Sequence, residues 1–494
     1  MSSRGVFAIG KGARRSALAS GVLTALSTLI VSGAAAGAGV LLAQRFGRTD
    51  ATDGFFAAYG VYGVITLAAF ALRVVVLPDL ARADADGRLR DELGAYSATL
   101  ALVALPAVVV TAALAEPIGD AAGSSEAQSH AFADALPWLI GAGGLQLFAA
   151  VAAAALGARD SYGTPAAGYA AGALAGLGLF AALPDHGPVA LAWGLVLSGA
   201  ITTAVGVAGL ARRGALPRPG PLRLGARLWQ LTRGASFPVA LQLLYTIANL
   251  RALHLGSGEA TTFTYAYIFA AFLVAATASS LSTISSVPLT RRGLSPESAA
   301  AHVVHTSWLS LVLIVAGTGV FALVGGEVVS RVLGESYSGA VASDLVRAVV
   351  WFAPWMVVSI AVTLTFPLLF VLEKPGVLVG ASVLVPALQV PLAWVLGDAF
   401  GLPGLALSLA ITSLVGLALL MGALSRRTLG LAAAGLGRLA LVEAVLAALS
   451  FGAFGLLLGG LAGAAVALAV YGVLLAATRS LGLRAAWTYV RELG

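Results

Sequence analysis

The sequence predicts an all-α polytopic membrane protein with about fourteen membrane-spanning helices, and three observations predict it. Of its 494 residues, 59% are hydrophobic and 10% charged, with a mean hydropathy of +0.95, whereas soluble domains carry about 25% charged residues. The apolar residues fall in uninterrupted runs of about 20, the length at which a helix crosses the hydrocarbon core. Those runs lack the alternation of a barrel strand, and at membrane depth only a helix or a closed barrel satisfies its own backbone.

The first run, 16–43, follows Arg4, Lys11, Arg14 and Arg15. Its apolar stretch from Leu18 to Leu42 is about twice a signal-peptide core, so it reads as a retained helix. Runs near 55–77, 93–115, 133–157, 164–183 and 188–211 follow, and together the six make an N-terminal lobe, 1–211. The longest basic break, 212–234, comes next. After its prolines Arg223, Arg227 and Gln230 share one helical face and Leu224, Leu228 and Leu231 another, which suits a cytoplasmic amphipathic linker lying in the interface, or a simple tether. Runs near 235–255, 262–288, 303–325, 345–370, 376–396 and 402–424 make a second six-helix lobe, 235–425, with Glu373-Lys374-Pro375 as a tight turn. Two Gly- and Ala-rich runs, 437–457 and 461–478, lie in a C-terminal part, 426–494.

Charge placement gives the orientation. With the N-terminus inside, 23 of the 29 Lys and Arg fall on the cytoplasmic side and only Arg45, Arg48 and Arg331 opposite, the bias expected of cytoplasmic loops. Both termini are therefore expected in the cytoplasm of a cell whose Arg-, Ala- and Gly-rich usage suggests a GC-rich bacterial gene, with the chain in the cytoplasmic membrane. The net charge of +7 reflects these loops and implies no nucleic acid. With no cysteine, disulfide, thiolate-metal and thiol chemistry are excluded.

The two lobes share a weak repeat. Ala51-Thr52-Asp53 near the second span matches Ala260-Thr261-Thr262 near the eighth, and Val75-Val76-Leu77-Pro78 matches Ser286-Val287-Pro288-Leu289. An even number of spans separates the copies, so the lobes have one topology about an axis along the membrane normal and are expected to flank a cavity.

The run Gln44-Arg45-Phe46-Gly47-Arg48-Thr49-Asp50-Ala51-Thr52-Asp53-Gly54-Phe55-Phe56 resembles the A-R-x-F-G-x-x-x-A-T-D-A-F-F signature of the MurJ/MviN-like lipid II flippases, in the multidrug/oligosaccharidyl-lipid/polysaccharide (MOP) exporter superfamily. Asn249-Leu250-Arg251-Ala252-Leu253-His254-Leu255-Gly256 and Tyr265-Ala266-Tyr267 are similar to elements of polysaccharide flippases. The resemblance implies a fourteen-helix flippase for a lipid-linked glycan in peptidoglycan or polysaccharide biosynthesis, with cell-wall synthesis proteins as partners. The sequence departs from the family in the first span, where Ser32 to Gly39 carries no arginine, and at Ile268, where the family has Arg.

An ionisable residue inside a span is expensive and faces a partner or a cavity. Arg73 and Arg251 are the candidates for a diphosphate head group, since guanidinium is always charged and pairs bidentately with phosphate oxygens; snorkelling or helix-to-helix bonding is the alternative for each. Gln242, Asn249 and His254 stand beside Arg251 as further substrate contacts, and Gln146 and Gln389 read as interhelical hydrogen bonders. Asp53 caps its own helix or gates the outer mouth with Arg45 or Arg48, and the two roles are compatible. Glu443 reads as the partner of Arg438, or as a proton or cation site. His302 and His305 have a metal-compatible spacing without further ligands, so no metal or cofactor is expected. No hydrolase motif or Walker sequence occurs, which argues against an enzyme and leaves an ion gradient or the membrane potential, about 2.3 kcal/mol per charge per 100 mV, for any coupling. A cation-coupled small-molecule antiporter and a scaffold that has lost transport are the alternatives.

Overall fold

The computed structural model describes residues 11–222, 224–275, 277, 295–371, 376–458 and 460–493. Arg4, Arg223, the Ser286 to Leu289 copy of the repeat and the Glu373 to Pro375 turn lie outside them. The described residues form helices and no strands, as backbone satisfaction in lipid requires.

The N-terminal part runs α1 (Lys11–Phe46), α2 (Asp50–Ala85), α3 (Leu89–Ala113), the short α4 (Ala115–Ala122), α5 (Glu126–Gly157), α6 (Gly163–Ala182) and α7 (Val189–Ala211). It continues with α8 (Leu224–Ala252), α9 (Glu259–Val274), α10 (Pro296–Leu333), α11 (Ala340–Trp351) and α12 (Ala353–Val371). Then come α13 (Gly376–Phe400), α14 (Leu402–Leu424), α15 (Arg426–Ala447), a π-helical turn at Ala448–Gly452, α16 (Ala453–Leu457), α17 (Gly460–Ala477) and α18 (Leu483–Leu493).

Every expected span overlaps a described helix, but fewer than fourteen spans stand among the described residues. Eleven helices among the described residues are long and apolar enough to cross a membrane, twelve if the pair Ala340–Trp351 and Ala353–Phe366, bent by 41°, is one span. The seventh expected span falls on α8, whose apolar half is interrupted by Gln242, Asn249 and Arg251. The eighth falls on α9, 16 residues to Val274, and much of the rest of 262–288 is undescribed. The chain is a multi-pass helical membrane protein.

Two compact units form. One comprises Met1–Arg45, Val61–Ile118 and Ala133–Ala235, the other Phe46–Gly60, Gly119–Phe132 and Ser236–Gly494. In the first, Leu72, Val76 and Leu80 of α2 pack with Leu93 and Tyr96 of α3 and with Ala150 to Leu156 of α5. Small residues bring α6 and α7 together: a Cβ on Gly172 would lie 2.5 Å from the Ser198 carbonyl oxygen, and one on Gly176 2.4 Å from that of Gly194. Backbones approach this closely only where side chains are missing. The basic segment before the seventh expected span is also in this unit. From Leu224 it is the start of α8 rather than a separate helix. Arg227 is buried, ion-paired to Glu92 at 2.7 Å and stacked over the Tyr96 ring, while Gln230 bonds Asp79. An otherwise amphipathic face has turned its polar side onto α2 and α3.

In the second unit Phe237 of α8 packs with Val303 of α10, Leu368 of α12 and Leu420 of α14. A satellite cluster of Leu446, Phe451, Ala467 and Tyr471 joins α15, the π-turn and α17.

Candidate functional site

Within the first unit α1, α2, α5 and α6 enclose a cavity of about 260 Å³. Arg73 projects into it from α2, together with Gln146 of α5, Tyr169 of α6 and Thr66 of α2, and α1 contributes Thr24, Ser27, Thr28 and Ser32. The α1 hydroxyls recur every three or four residues, so one helical face presents them all. The Thr28 and Thr66 hydroxyls donate back to the carbonyls of Thr24 and Tyr62, four residues earlier, at 3.0 and 2.9 Å. Ser27 bonds the Ala166 carbonyl at 2.6 Å. Arg73 is half-buried, and among the described residues no acceptor is bonded to its guanidinium. Among the described residues no carboxylate lines the cavity. A permanent cation among hydroxyls, without a counter-ion among the described residues, is an arrangement that can accept an anion. The sequence marks Arg73 and points to Gln146 as an interhelical bonder, whereas no pattern around Tyr169 or Thr66 singles those two out. The hydroxyl stripe of α1 was the available signal.

Within the second unit the two copies of the repeat meet. Thr261 bonds Thr52, its counterpart 209 residues earlier, at 3.2 Å. Asp53 is fully buried. Its carboxylate accepts from the backbone N–H groups of Gly258 at 2.5 Å and Thr261 at 2.7 Å and from the Thr261 hydroxyl at 2.6 Å, so it caps α9 rather than its own helix. The start of α2 is closed instead by Thr49 and Thr52, each bonding the other's backbone N–H, at 2.9 and 3.3 Å. Arg48 reaches the same turn, pairing with Glu259 at 2.6 Å and donating to the Gly258 carbonyl and the Thr262 hydroxyl. Gly258 adopts φ 79° there, a conformation natural to glycine. Gly54 stands where the signature has alanine, and a Cβ would lie 2.2 Å from the Gln128 carbonyl.

The other expected residues are placed as follows. Arg45 donates to the Phe180 and Ala181 carbonyls at 3.2 and 3.0 Å, a cation on the C-terminal end of α6, where the helix dipole favours it. Arg251 is ion-paired with Asp398 in the last turn of α13 and lies 5.8 Å from the Trp394 ring centroid. The expected span ended at 396; α13 runs one turn further and supplies this partner. Asn249 is buried and joins helices, donating to the Phe56 carbonyl and accepting from Thr264, both at 3.1 Å. Gln242 is half-buried, and His254 is exposed in the turn after α8. Gln389 bonds Ser408 and Thr412 across α13 and α14 at 2.9 and 2.7 Å. Of the expected contacts Arg73 alone lines the cavity, while Arg251 and Asn249 are engaged with other helices.

These features define an all-α multi-pass membrane protein. The fold is MurJ-like, on a divergent sequence. It is similar to the structure of the lipid II flippase MurJ in an inward closed conformation, with a TM-score of 0.75 at 12% identity over 93% of this chain and 99% of that one. It is also similar to an inward-facing multidrug resistance MATE family transporter of the MOP superfamily, with a TM-score of 0.60 at 17% identity over 83% of this chain and 94% of the other. A MOP superfamily transporter from Pyrococcus furiosus, noted for reverse polarity of its binding pocket, gives 0.58 at 15% identity over 85% and 94%. No family model and no curated protein sequence matches the chain.

Proposed function

We propose that this chain is a flippase of the bacterial cytoplasmic membrane, with both termini cytoplasmic, that moves a polyprenyl-linked, diphosphate-bearing saccharide outward by alternating access between its two six-helix lobes. The observation that carries the reading is the Arg73 guanidinium, which has no counter-ion among the described residues in a hydroxyl-lined cavity. A cation-coupled antiporter calls for a carboxylate there, and the described lining has none. The likeness in fold to a lipid II flippase supports a lipid-linked glycan as the first cargo class to test. Asp53 with Arg48 is retained as the outer gate of this reading.

The test is movement of a labelled lipid-linked saccharide across vesicles holding the purified protein. A hydrogen bond to a charged group contributes about 1.5–3 kcal/mol, so Arg73→Ala is expected to slow flipping about ten- to a hundred-fold, with thermal stability kept because Arg73 holds no partner. Unimpaired flipping in Arg73→Ala would refute the assignment.

A further inference from the structure

We propose that Glu443 is a membrane-embedded proton-binding site, occupied in the conformation described here and emptied only when α17 moves off α10 and α15. Glu443 lies on α15, one turn before the π-helical turn Ala448–Gly452, and it is 1% exposed. The sequence pairs it with Arg438, but Arg438 is exposed, and the group that meets the carboxyl is the Tyr471 hydroxyl of α17, 2.7 Å from Oε2. Oε1 is buried with no hydrogen-bond partner among the described residues.

The geometry at Tyr471 decides the protonation state. Its oxygen lies 2.7 Å from Glu443 and 3.3 Å from the Val312 carbonyl of α10, and both neighbours accept if Glu443 is ionised. One hydroxyl proton serves two acceptors only as a bifurcated bond, weaker to each than a bond to one alone. Both contacts are satisfied when Glu443 is the acid: its O–H donates to Tyr471, and Tyr471 donates to Val312. Ionisation would leave a buried charge with one shared donor and no cation, the arrangement a low-dielectric interior disfavours most. The other titratable groups on the packed elements are otherwise placed. Arg427 is paired with Glu297 of α10, His302 and His305 lie beside Tyr489 of α18, Glu327 and Arg331 pair with each other at the far end of α10, and Arg426 stands at the start of α15. Helix α14 has none. A π-turn beside the group is a place where a helix readjusts without unfolding, and Phe451 of that turn lies so close to Gly319 of α10 that a Cβ there would clash.

Infrared difference spectra of the full chain in lipid nanodiscs, between neutral and strongly alkaline pH, test this without any cargo, so their failure leaves the flippase proposal standing. The wild type is expected to show a protonated-carboxyl C=O band that is lost in Glu443→Gln. In Tyr471→Phe the acid loses its acceptor, and the band is expected to remain but at higher frequency, a change that a merely structural tyrosine would not produce. A band that is absent in the wild type, or unchanged in both variants, would overturn the proposal.

Discussion

Asp53 and Arg73 are charged residues on the same helix, and their removal should have opposite consequences. Asp53 answers two backbone N–H groups and one hydroxyl in a fully buried place. Truncation orphans them, at about 1–3 kcal/mol for each buried unsatisfied group. Asp53→Ala should therefore lower the thermal midpoint markedly, and Asp53→Asn, which keeps one acceptor oxygen, by less; equal midpoints for the two would show that the carboxylate is not the cap. Arg251 belongs with Asp53 in this respect. Its ion pair with Asp398 is buried on one side only, since the Asp398 side chain is 62% exposed, and solvent-exposed pairs contribute about 0.2–1 kcal/mol. In a double-mutant cycle of Arg251→Ala and Asp398→Ala, the combined loss of stability should fall short of the sum by an amount in that range.

At the scale of elements, α6 and α7 show how little tolerance a membrane packing seam has. Gly176 and Gly178 stand two residues apart on α6, but a Cβ on Gly176 would strike the Gly194 carbonyl oxygen, whereas one on Gly178 meets nothing within 4 Å. Gly176→Ala should destabilise by about 1–3 kcal/mol, the usual cost of overpacking. Gly178→Ala should be neutral or stabilising, up to about 1 kcal/mol from helix propensity. Thermal midpoints in detergent separate the two, and similar losses at both would mean that α6 and α7 do not approach as described. The elements were largely legible in the sequence, because an apolar run is a local signal and the bilayer sets its length. What the runs could not carry was apposition. Arg73 stood out because a charge at that depth is expensive in any surroundings, but nothing local joins it to Tyr169. Asp53 and Gly258 are 205 residues apart and Arg251 and Asp398 147, so whether each charge was engaged or available became visible only with the fold. The start of α8 shows the same limit: its polar face was read as meeting the interface, and Arg227 and Gln230 meet Glu92 and Asp79 instead.

For the whole molecule, the strongest long-range signal was the placement of charge. Basic residues cannot easily be carried across the membrane during insertion, so the 23 to 3 division argues for a single orientation of all the connections between helices. The chain itself makes this simple to check, because it contains no cysteine, and a single introduced thiol reports without background. Leu216, in the exposed basic segment between α7 and α8, and His186, in the turn between α6 and α7, are both surface positions on opposite sides of one span. In intact cells a membrane-impermeant maleimide should label His186→Cys and not Leu216→Cys, and permeabilised cells should show both. Labelling of Leu216→Cys alone in intact cells would invert the topology. Under the proposed function, the Arg73 cavity would then receive its anion from the other leaflet, with the direction of transport reversed.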